Sequence, residues 1–260
     1  MPTPASNNQV KAWKKLQMGK YRKNEQLFLA EGVRCVEQIL QNRKVEVTEL
    51  VSDGSSVTED LQLPKNLPVF GLSRDDFLSI SDTENPQGVI AVCRIPKEAD
   101  IAQVAENEGT ILALDAVQDP GNLGTIIRTA TWFGVSVILF GTGCVDPYHP
   151  KVVRSTAGAT AAIPSRKGNL EKLISRCESS GWQTFLLDGS EKAKSIRTIK
   201  PRKKTILVAG NEAKGIRPEL FASHRTPARI EGKPWAVESL NVAVAVGIGL
   251  FGLSGTLSKD

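Results

Sequence analysis

The sequence predicts an α/β protein with two parts: a C-terminal domain on a parallel sheet covered by helices on both faces, and a smaller N-terminal α/β domain. Two observations carry this. From residue 106 onward, runs such as TILALDAV, VSVILFG, WQTFLLD and TILVAG alternate with segments of helical period. Those runs are apolar almost without interruption, which is the pattern of strands buried on both faces. Upstream, shorter strand-like runs lie between Gly, Pro, Asp and Ser clusters, and a polar, acidic stretch over 96–109 separates the two regimes. The expected domains are therefore 1–97 and 106–260, with 98–105 as a linker, and 260 residues are enough for both to bury cores.

In chain order, 7–20 reads as a basic helix and QLFLAEG as a short strand. Val33 to Leu40, apolar at Val33, Val36, Ile39 and Leu40, has helical spacing. Strand-like runs follow at Glu49–Val51, Pro68–Leu72 and Val89–Ile95. In the second part, NLGTIIRTATWFG is helical, Lys151–Thr156 is a short helix, ATAAIP is a further strand, and Leu170–Cys177 is a helix. SLNVAVAVGIGLFGL closes the chain as a helix apolar nearly all round, and so an expected buried one.

Composition narrows the function. Hydrophobic content of 40% and charge content of 23% describe an ordinary soluble globular protein. The longest uncharged apolar run, Val242 to Leu253, is too short to cross a bilayer, and MPTPASNNQVKAWKK has no apolar stretch of the secretory kind. Cytoplasmic residence and no membrane association are the expectations. The four cysteines are scattered, with no CxxC pair and no histidine at ligand spacing, so neither a disulfide framework nor a metal site is expected. Net charge is +5, and its distribution matters more than its sum. Residues 1–24 hold Lys11, Lys14, Lys15, Lys20, Arg22 and Lys23 with no acid, and KAKSIRTIKPRKK over 192–204 holds seven cations, again with none. Either could be a solvated basic face; together they point to a polyphosphate partner, nucleic acid above all. With 5% aromatic residues, a stacking platform for single strands is not suggested.

A generic nucleotide-binding reading fails. GTGCVD follows a strand but carries Asp146 at the third glycine position of GxGxxG, and no GxxxxGK[ST] occurs. The segment DAVQDPGNLGTIIRTATWFG holds more chemistry. Asp119-Pro120-Gly121 is a turn, Asn122 is placed to cap the next helix, and Thr125, Arg128, Thr129 and Trp132 share one face opposite Ile126, Ile127 and Ala130. Arg128 thus projects near the carboxyl edge of the sheet, where open α/β folds bind ligands. Alone, these residues would be read as a cap and a surface charge. TILVAGNEAKGI runs a buried strand into Gly210, Asn211 and Glu212 at that edge. Ser239 and Asn241 stand at the mouth of the final helix: Ser239 is a possible N-cap, while a polar Asn241 leading an apolar helix is harder to explain by packing.

Together, DPGNLGTIIRTA, GNEAKGI and SLNVAVAVGI, in this order and spacing, resemble the three motifs of the SpoU/TrmH class of the SPOUT methyltransferase superfamily, and DPYHPKVVRSTAGAT resembles its segment between the first two. RKNEQLFLAEGVRCVEQIL resembles the start of the RNA-binding domain of the rRNA-directed branch. The resemblance implies an S-adenosylmethionine-dependent RNA 2′-O-ribose methyltransferase, a trefoil knot holding the cofactor, and a homodimer paired through the last helix. Carried over by position, the cofactor lies against backbone of Gly210, Ile230 and Leu240. Arg128 and Asn122 fall on catalytic positions, with Glu212, Ser239 and Asn241 supporting them. Arg154, Arg22 and Lys23 are the candidate RNA contacts. One departure concerns the third loop, which reads Ile230-Glu231-Gly232-Lys233-Pro234-Trp235 where the family has Ile-Pro-Met, about one residue longer. Because a guanidinium stays protonated in proteins, Arg128 suits a forked grip on an RNA phosphate better than the role of base; the sequence names no proton acceptor. The N-domain and short C-terminus favour ribosomal RNA. A tRNA-directed relative and a non-catalytic RNA-binding module are the alternatives, the latter disfavoured because Arg128 and Asn241 are both present.

Overall fold

The computed structural model describes residues 2–55, 61–200, 202–233 and 239–253. The chain folds as two compact units that are not continuous in sequence: Met1–Lys97 with Asp146–Ala162, and Glu98–Val145 with Ile163–Asp260.

The first unit holds strands β1 (Thr3–Pro4), β2 (Leu27–Glu31), β3 (Val47–Ser52), β4 (Val69–Gly71) and β5 (Val89–Arg94) in a sheet of order β1-β4-β3-β5-β2. β1, β4 and β3 are parallel, while β5 runs antiparallel to both β3 and β2. Its helices are α1 (Asn7–Lys15), α2 (Gly19–Glu25), α3 (Val33–Asn42) and α4 (Arg74–Ile80). Strand alternation sorts β5 between two cores. Val89, Ala91 and Cys93 pack with Phe28, Val36 and Ile39, whereas Ile90 and Val92 pack with Trp13, Leu16, Phe77 and Ile80. The inserted segment adds helix α7 (Pro150–Ser155), whose Val153 completes the first core, and Tyr148 stacks on Phe28 with ring centroids 5.0 Å apart.

The expected basic helix over 7–20 is two helices. Ser6 and Gln9 close a capping box at the first, and an extended Met18 ends the run before α2 begins. Arg22 does not face solvent and is corrected as an RNA contact. Only 3% exposed, it bonds Asp146 through Nε (3.0 Å) and Nη2 (2.6 Å), and its Nη1 satisfies the carbonyls of Leu16 and Gln17. Lys11, Lys14, Lys15, Lys20 and Lys23 are exposed.

The second unit has a seven-stranded, all-parallel sheet of order β10-β12-β9-β11-β6-β7-β8. Its strands are β6 (Gly109–Leu114), β7 (Val137–Phe140), β8 (Ser165–Lys167), β9 (Gln183–Leu187), β10 (Lys194–Ser195), β11 (Lys204–Ala209) and β12 (Thr226–Arg229). On one face α5 (Ile101–Glu106) and α8 (Leu170–Glu178) pack Ile101, Ala105, Ile174 and Cys177 against Ile111, Val137, Leu139 and Val208. On the other, α6 (Pro120–Trp132) lies against α9 (Val242–Leu253), and α9 crosses β9 and β11 with Gly249 seated on Leu187 and Leu207. A Cβ at Gly249 would meet the Leu207 side chain at 3.0 Å, so a larger residue there would press the leucines of β9 and β11 aside.

Four expectations change. The linker over 98–105 contains most of α5, whose Asp100 cap and buried Ile101 and Ala105 make it part of the second unit. The second domain is interrupted, because 146–162 belongs with the first. ATAAIP forms no strand: Ala161 turns at φ +56°, Ala162 bonds back to Ala159, and pairing begins at Ser165. Finally, α9 is buried along one side only, leaving Val244, Ile248 and Phe251 exposed.

Candidate active site at the carboxyl edge of the parallel sheet

Because every strand of the second unit runs the same way, the loops after β6, β9, β11 and β12 emerge along one edge. β6 is followed at once by Asp115, fully buried, and the chain then turns through Ala116 at φ +56°. A charged side chain sealed at the end of an apolar strand needs partners. They are Arg217 N–H at 2.9 Å, its Nε at 2.8 Å and its Nη2 at 2.8 Å. The contact raises the Arg217 pKa, hydrogen bonding to Asp115 outweighing the opposing cost of burial.

Arg217 closes the loop that follows β11. Asn211 and Gly215 exchange backbone bonds at 2.9 Å, folding the loop back onto Gly210. A Cβ at Gly210 would come within 2.2–2.4 Å of Gly215 and Ile216 backbone, so this position admits glycine alone. Asn211 Nδ2 donates to Ala116 O at 2.9 Å, while its Oδ1 accepts from Ala213 and Lys214 N–H. The loop is tied to the β6 turn at both ends, and this fixes Glu212.

Glu212 accepts from Asn122 Nδ2 at 3.1 Å and from Asp119 N at 3.4 Å. Asp119, not Asn122, is the N-cap of α6. Its carboxylate accepts the Asn122 N–H at 2.7 Å, with Pro120 in the first turn. Asn122 is thereby freed from capping, and its side chain lies between Glu212 and Asn241. Asn241 Nδ2 donates to Asn122 Oδ1 at 2.9 Å, and Asn241 Oδ1 accepts from Ala243 N at 2.9 Å and Val244 N at 3.4 Å. Asn241, not Ser239, caps α9. Each amide's direction is set by its neighbour: the helix amides take Asn241 Oδ1, so its NH2 points at Asn122, whose own NH2 must then point at Glu212.

Three of the five proposed catalytic residues, Asn122, Glu212 and Asn241, therefore form one directed chain drawn from three separate motifs. Arg128 does not join it. It stands six residues past Asn122 on α6, about 9 Å along the axis, exposed and with no hydrogen bond or ion pair among the described residues. Ser239 is exposed and has no side-chain hydrogen bond among them. Gly210 and Ile230 leave β11 and β12, which flank β9, and Leu240 directly precedes the Asn241 cap. Pro234 and Trp235, on which the longer third loop depends, lie outside the described residues. In the first unit Lys23 is exposed, and Arg154 bonds Asp82 at 2.5 Å.

Sequence reasoning missed Asp115, Arg217 and Arg225. Arg225 is fully buried just before β12 and meets Glu178 through Nε (2.8 Å) and Glu171 through Nη1 (2.5 Å). Burial works against the Glu178 charge, but hydrogen bonds from Arg225, Thr184 and His224 outweigh it and hold its carboxyl at about 2. An aspartate ending TILALD was a visible signal, since such a residue needs a buried partner; nothing local identified which arginine.

A parallel sheet with crowded glycine and asparagine loops converging at its carboxyl edge, joined to a small mixed-sheet unit, defines the class: a two-part α/β protein with a candidate ligand site at that edge. The chain belongs to the SpoU rRNA methylase family, whose pattern matches residues 109–251, and an MRM3-like substrate binding domain matches 7–91. It is 34% identical over 255 residues to 23S rRNA (guanosine(2553)-2′-O)-methyltransferase RlmP of Bacillus subtilis, covering 96% of this chain and 98% of that protein. Among solved structures, the AdoMet-bound rRNA methyltransferase of Sinorhizobium meliloti superposes with a TM-score of 0.82 at 32% identity, covering 96% of this chain and 95% of that one. A TrmH-family protein from Porphyromonas gingivalis gives 0.82 at 34% identity, covering 96% and 98%.

Proposed function

We propose that this protein transfers a methyl group from S-adenosylmethionine to a ribose 2′-hydroxyl of ribosomal RNA. The observation that carries the reading is the directed Asn241–Asn122–Glu212 chain, which brings all three family motifs to one edge. Backbone at Gly210, Ile230 and Leu240 would hold the cofactor. The crowding of Gly215 and Ile216 on Gly210 fits that role, because it presents main chain rather than side chain at the edge. The cofactor supplies an electrophilic methyl group; the chain's own task is alignment, which can account for much of the rate of such a displacement. Arg128, without a hydrogen bond or ion pair among the described residues, grips the phosphate next to the target ribose and stabilises negative charge developing on its oxygen. Asn122, orientationally locked, positions the ribose, and Glu212 and Asn241 hold it so.

The first unit supplies RNA affinity through exposed Lys11, Lys14, Lys15, Lys20 and Lys23, joined by Arg154 where a phosphate displaces Asp82. Cytoplasmic residence fits a ribosomal substrate, and no helix among the described residues is long and apolar enough to cross a membrane. A trefoil knot is supported by overlapping crossovers: the β10–β11 connection passes β12 and β9, the β11–β12 connection passes β9, and α9 returns over β9 and β11. A homodimer is supported by the stripe Val244, Ile248 and Phe251 on α9, beside Trp132 at 84% exposure on α6. Light scattering giving a monomer at micromolar concentration would refute the dimer. Mapping 2′-O-methylation across ribosomal and transfer RNA, with and without the gene, tests the function. Loss of one ribosomal mark is the expected result, and loss confined to transfer RNA overturns the substrate.

A further inference from the structure

The second basic run, over 192–204, takes no part in the site above, yet the fold gives it a definite course. It begins on β10, where Ser195 pairs with Arg229, the residue before Ile230 at the carboxyl edge. It passes through a 3₁₀ turn at Ile196–Thr198, where Ile196 is buried against Gly252 of α9, and ends where Lys204 pairs with Gly109 at the amino end of β11. Over this course, on the order of 20 Å for the six-residue strand it flanks, Lys192, Lys194, Arg197, Lys200, Arg202 and Lys203 are exposed. Arg197 has a long contact to Glu231 (3.8 Å) and Lys203 one to Glu108 (3.3 Å). Lys192, Lys194, Lys200 and Arg202 have no ion pair among the described residues. Arg229 adds a cation whose buried Nε lacks a hydrogen-bond partner among them.

Protection of an edge strand accounts for Lys194 on β10 but not for the cations beyond it. Structural anchoring accounts for Lys204 alone, which donates to Ala105 and Ser180 carbonyls. The run carries no aromatic, Asn or Gln side chain, and most of its cations are lysines, whose flexible point charges suit the sugar–phosphate backbone. We propose that residues 192–200, with Arg202 and Lys203, form a second RNA track on the catalytic unit, holding the backbone of substrate RNA beside the cofactor edge independently of its sequence. This rests on the RNA-methyltransferase reading and extends it.

The test replaces Lys192, Lys194, Lys200 and Arg202 by Gln in the full chain and measures affinity for a 23S ribosomal RNA transcript against salt. Each phosphate contact contributes about −0.7 to −0.9 to the log–log slope, so removing four cations should flatten it by about 2.8 to 3.6. S-adenosylmethionine affinity and melting temperature should be unchanged, and the variant K192R/K194R/K200R should keep the wild-type slope, since charge alone is used. An unchanged slope in the Gln variant, with wild type methylating the same transcript, overturns the track alone. A wild type that binds no RNA overturns both the track and the functional reading.

Discussion

Two parts of the same sheet edge are built in opposite ways. The loop 210–217 is cross-tied along its length: Asn211 to Ala116, Gly215 to Asn211, Arg217 to Asp115, Glu212 to Asn122 and Asp119. The exposed face of α6 a few residues away carries Arg128 with no such tie among the described residues. On the proposed function, the cross-tied groups are those that keep their places when RNA arrives. On the same reading, the guanidinium without such a tie takes its partner from the substrate, and aligning a nucleophile uses both. The first experiment tries to break that contrast at its open end. Arg128→Lys keeps charge and helix propensity, so folding should be nearly unaffected. Lysine cannot reproduce the planar fork, however. Methyl transfer should fall about a hundredfold or more, roughly 3 kcal/mol, while calorimetric affinity for S-adenosylmethionine stays within about threefold, under 1 kcal/mol. Near-wild-type transfer would reduce Arg128 to a surface charge, and loss of cofactor binding would move it into the pocket.

The same contrast separates two neighbours in the first unit. Arg22 is saturated by protein while the exposed Lys23 side chain has no hydrogen bond or ion pair among the described residues. Arg22→Met should cost about 2–3 kcal/mol of stability in denaturant unfolding, because it strips Asp146 and two carbonyls of their donor, and it should leave the RNA salt slope as it was. Lys23→Gln should do the reverse, with stability unchanged and the slope flatter by about 0.7–0.9. Equal slopes for wild type and Lys23→Gln would remove that lysine from the RNA surface.

Acid should loosen the edge from beneath. The Glu178 carboxyl is held at about 2 against an ordinary 4.5, so its stabilisation is complete above about pH 4.5 and drains away as pH falls towards 2. On the order of 2 kcal/mol should be lost over that window, and Glu178→Gln should flatten the profile there. Since Arg225 bonds Glu178 just ahead of β12, cofactor affinity should weaken in the same window. A pH-independent unfolding midpoint between 4.5 and 2 would discount the network.

How much of this was legible follows the range of each interaction. Strand runs and helix faces are local, so TILALD, TILVA and the Ile126–Ile127–Ala130 face were readable, as were Asn122, Glu212 and Asn241 through their motifs. Capping was misassigned by a few residues twice, because Asp and Asn or Ser and Asn compete for the same helix amides and only the wider network decides. Arg22 lay in a run of exposed lysines; its partner Asp146 is 124 positions away, so nothing nearby in sequence marks it as buried. The ATAAIP strand failed because apolar content does not reveal a turn at Ala161. The inserted 146–162 segment was invisible for the same reason: Val153 and Tyr148 match a core formed by residues a hundred positions earlier.

The smallest expected effect tests the misassigned cap itself. Asn241 does two things at once: Oδ1 caps α9 and Nδ2 orients Asn122. Asn241→Ser should preserve the first, since serine is as good an N-cap, and stability should shift by no more than a few tenths of a kcal/mol. It removes the second, because a hydroxyl bonded to the helix amides is too short to reach Asn122. Held then by Glu212 alone, Asn122 keeps its NH2 on the carboxylate but loses its second anchor, and its side chain is placed less firmly beside the ribose. Methyl transfer should then drop about tenfold, near 1.4 kcal/mol, with S-adenosylmethionine affinity unchanged. Asn241→Ala should lose about 1 kcal/mol of stability as well. If serine restores transfer as fully as it restores the cap, Asn241 serves the helix alone, and the directed chain ends at Asn122.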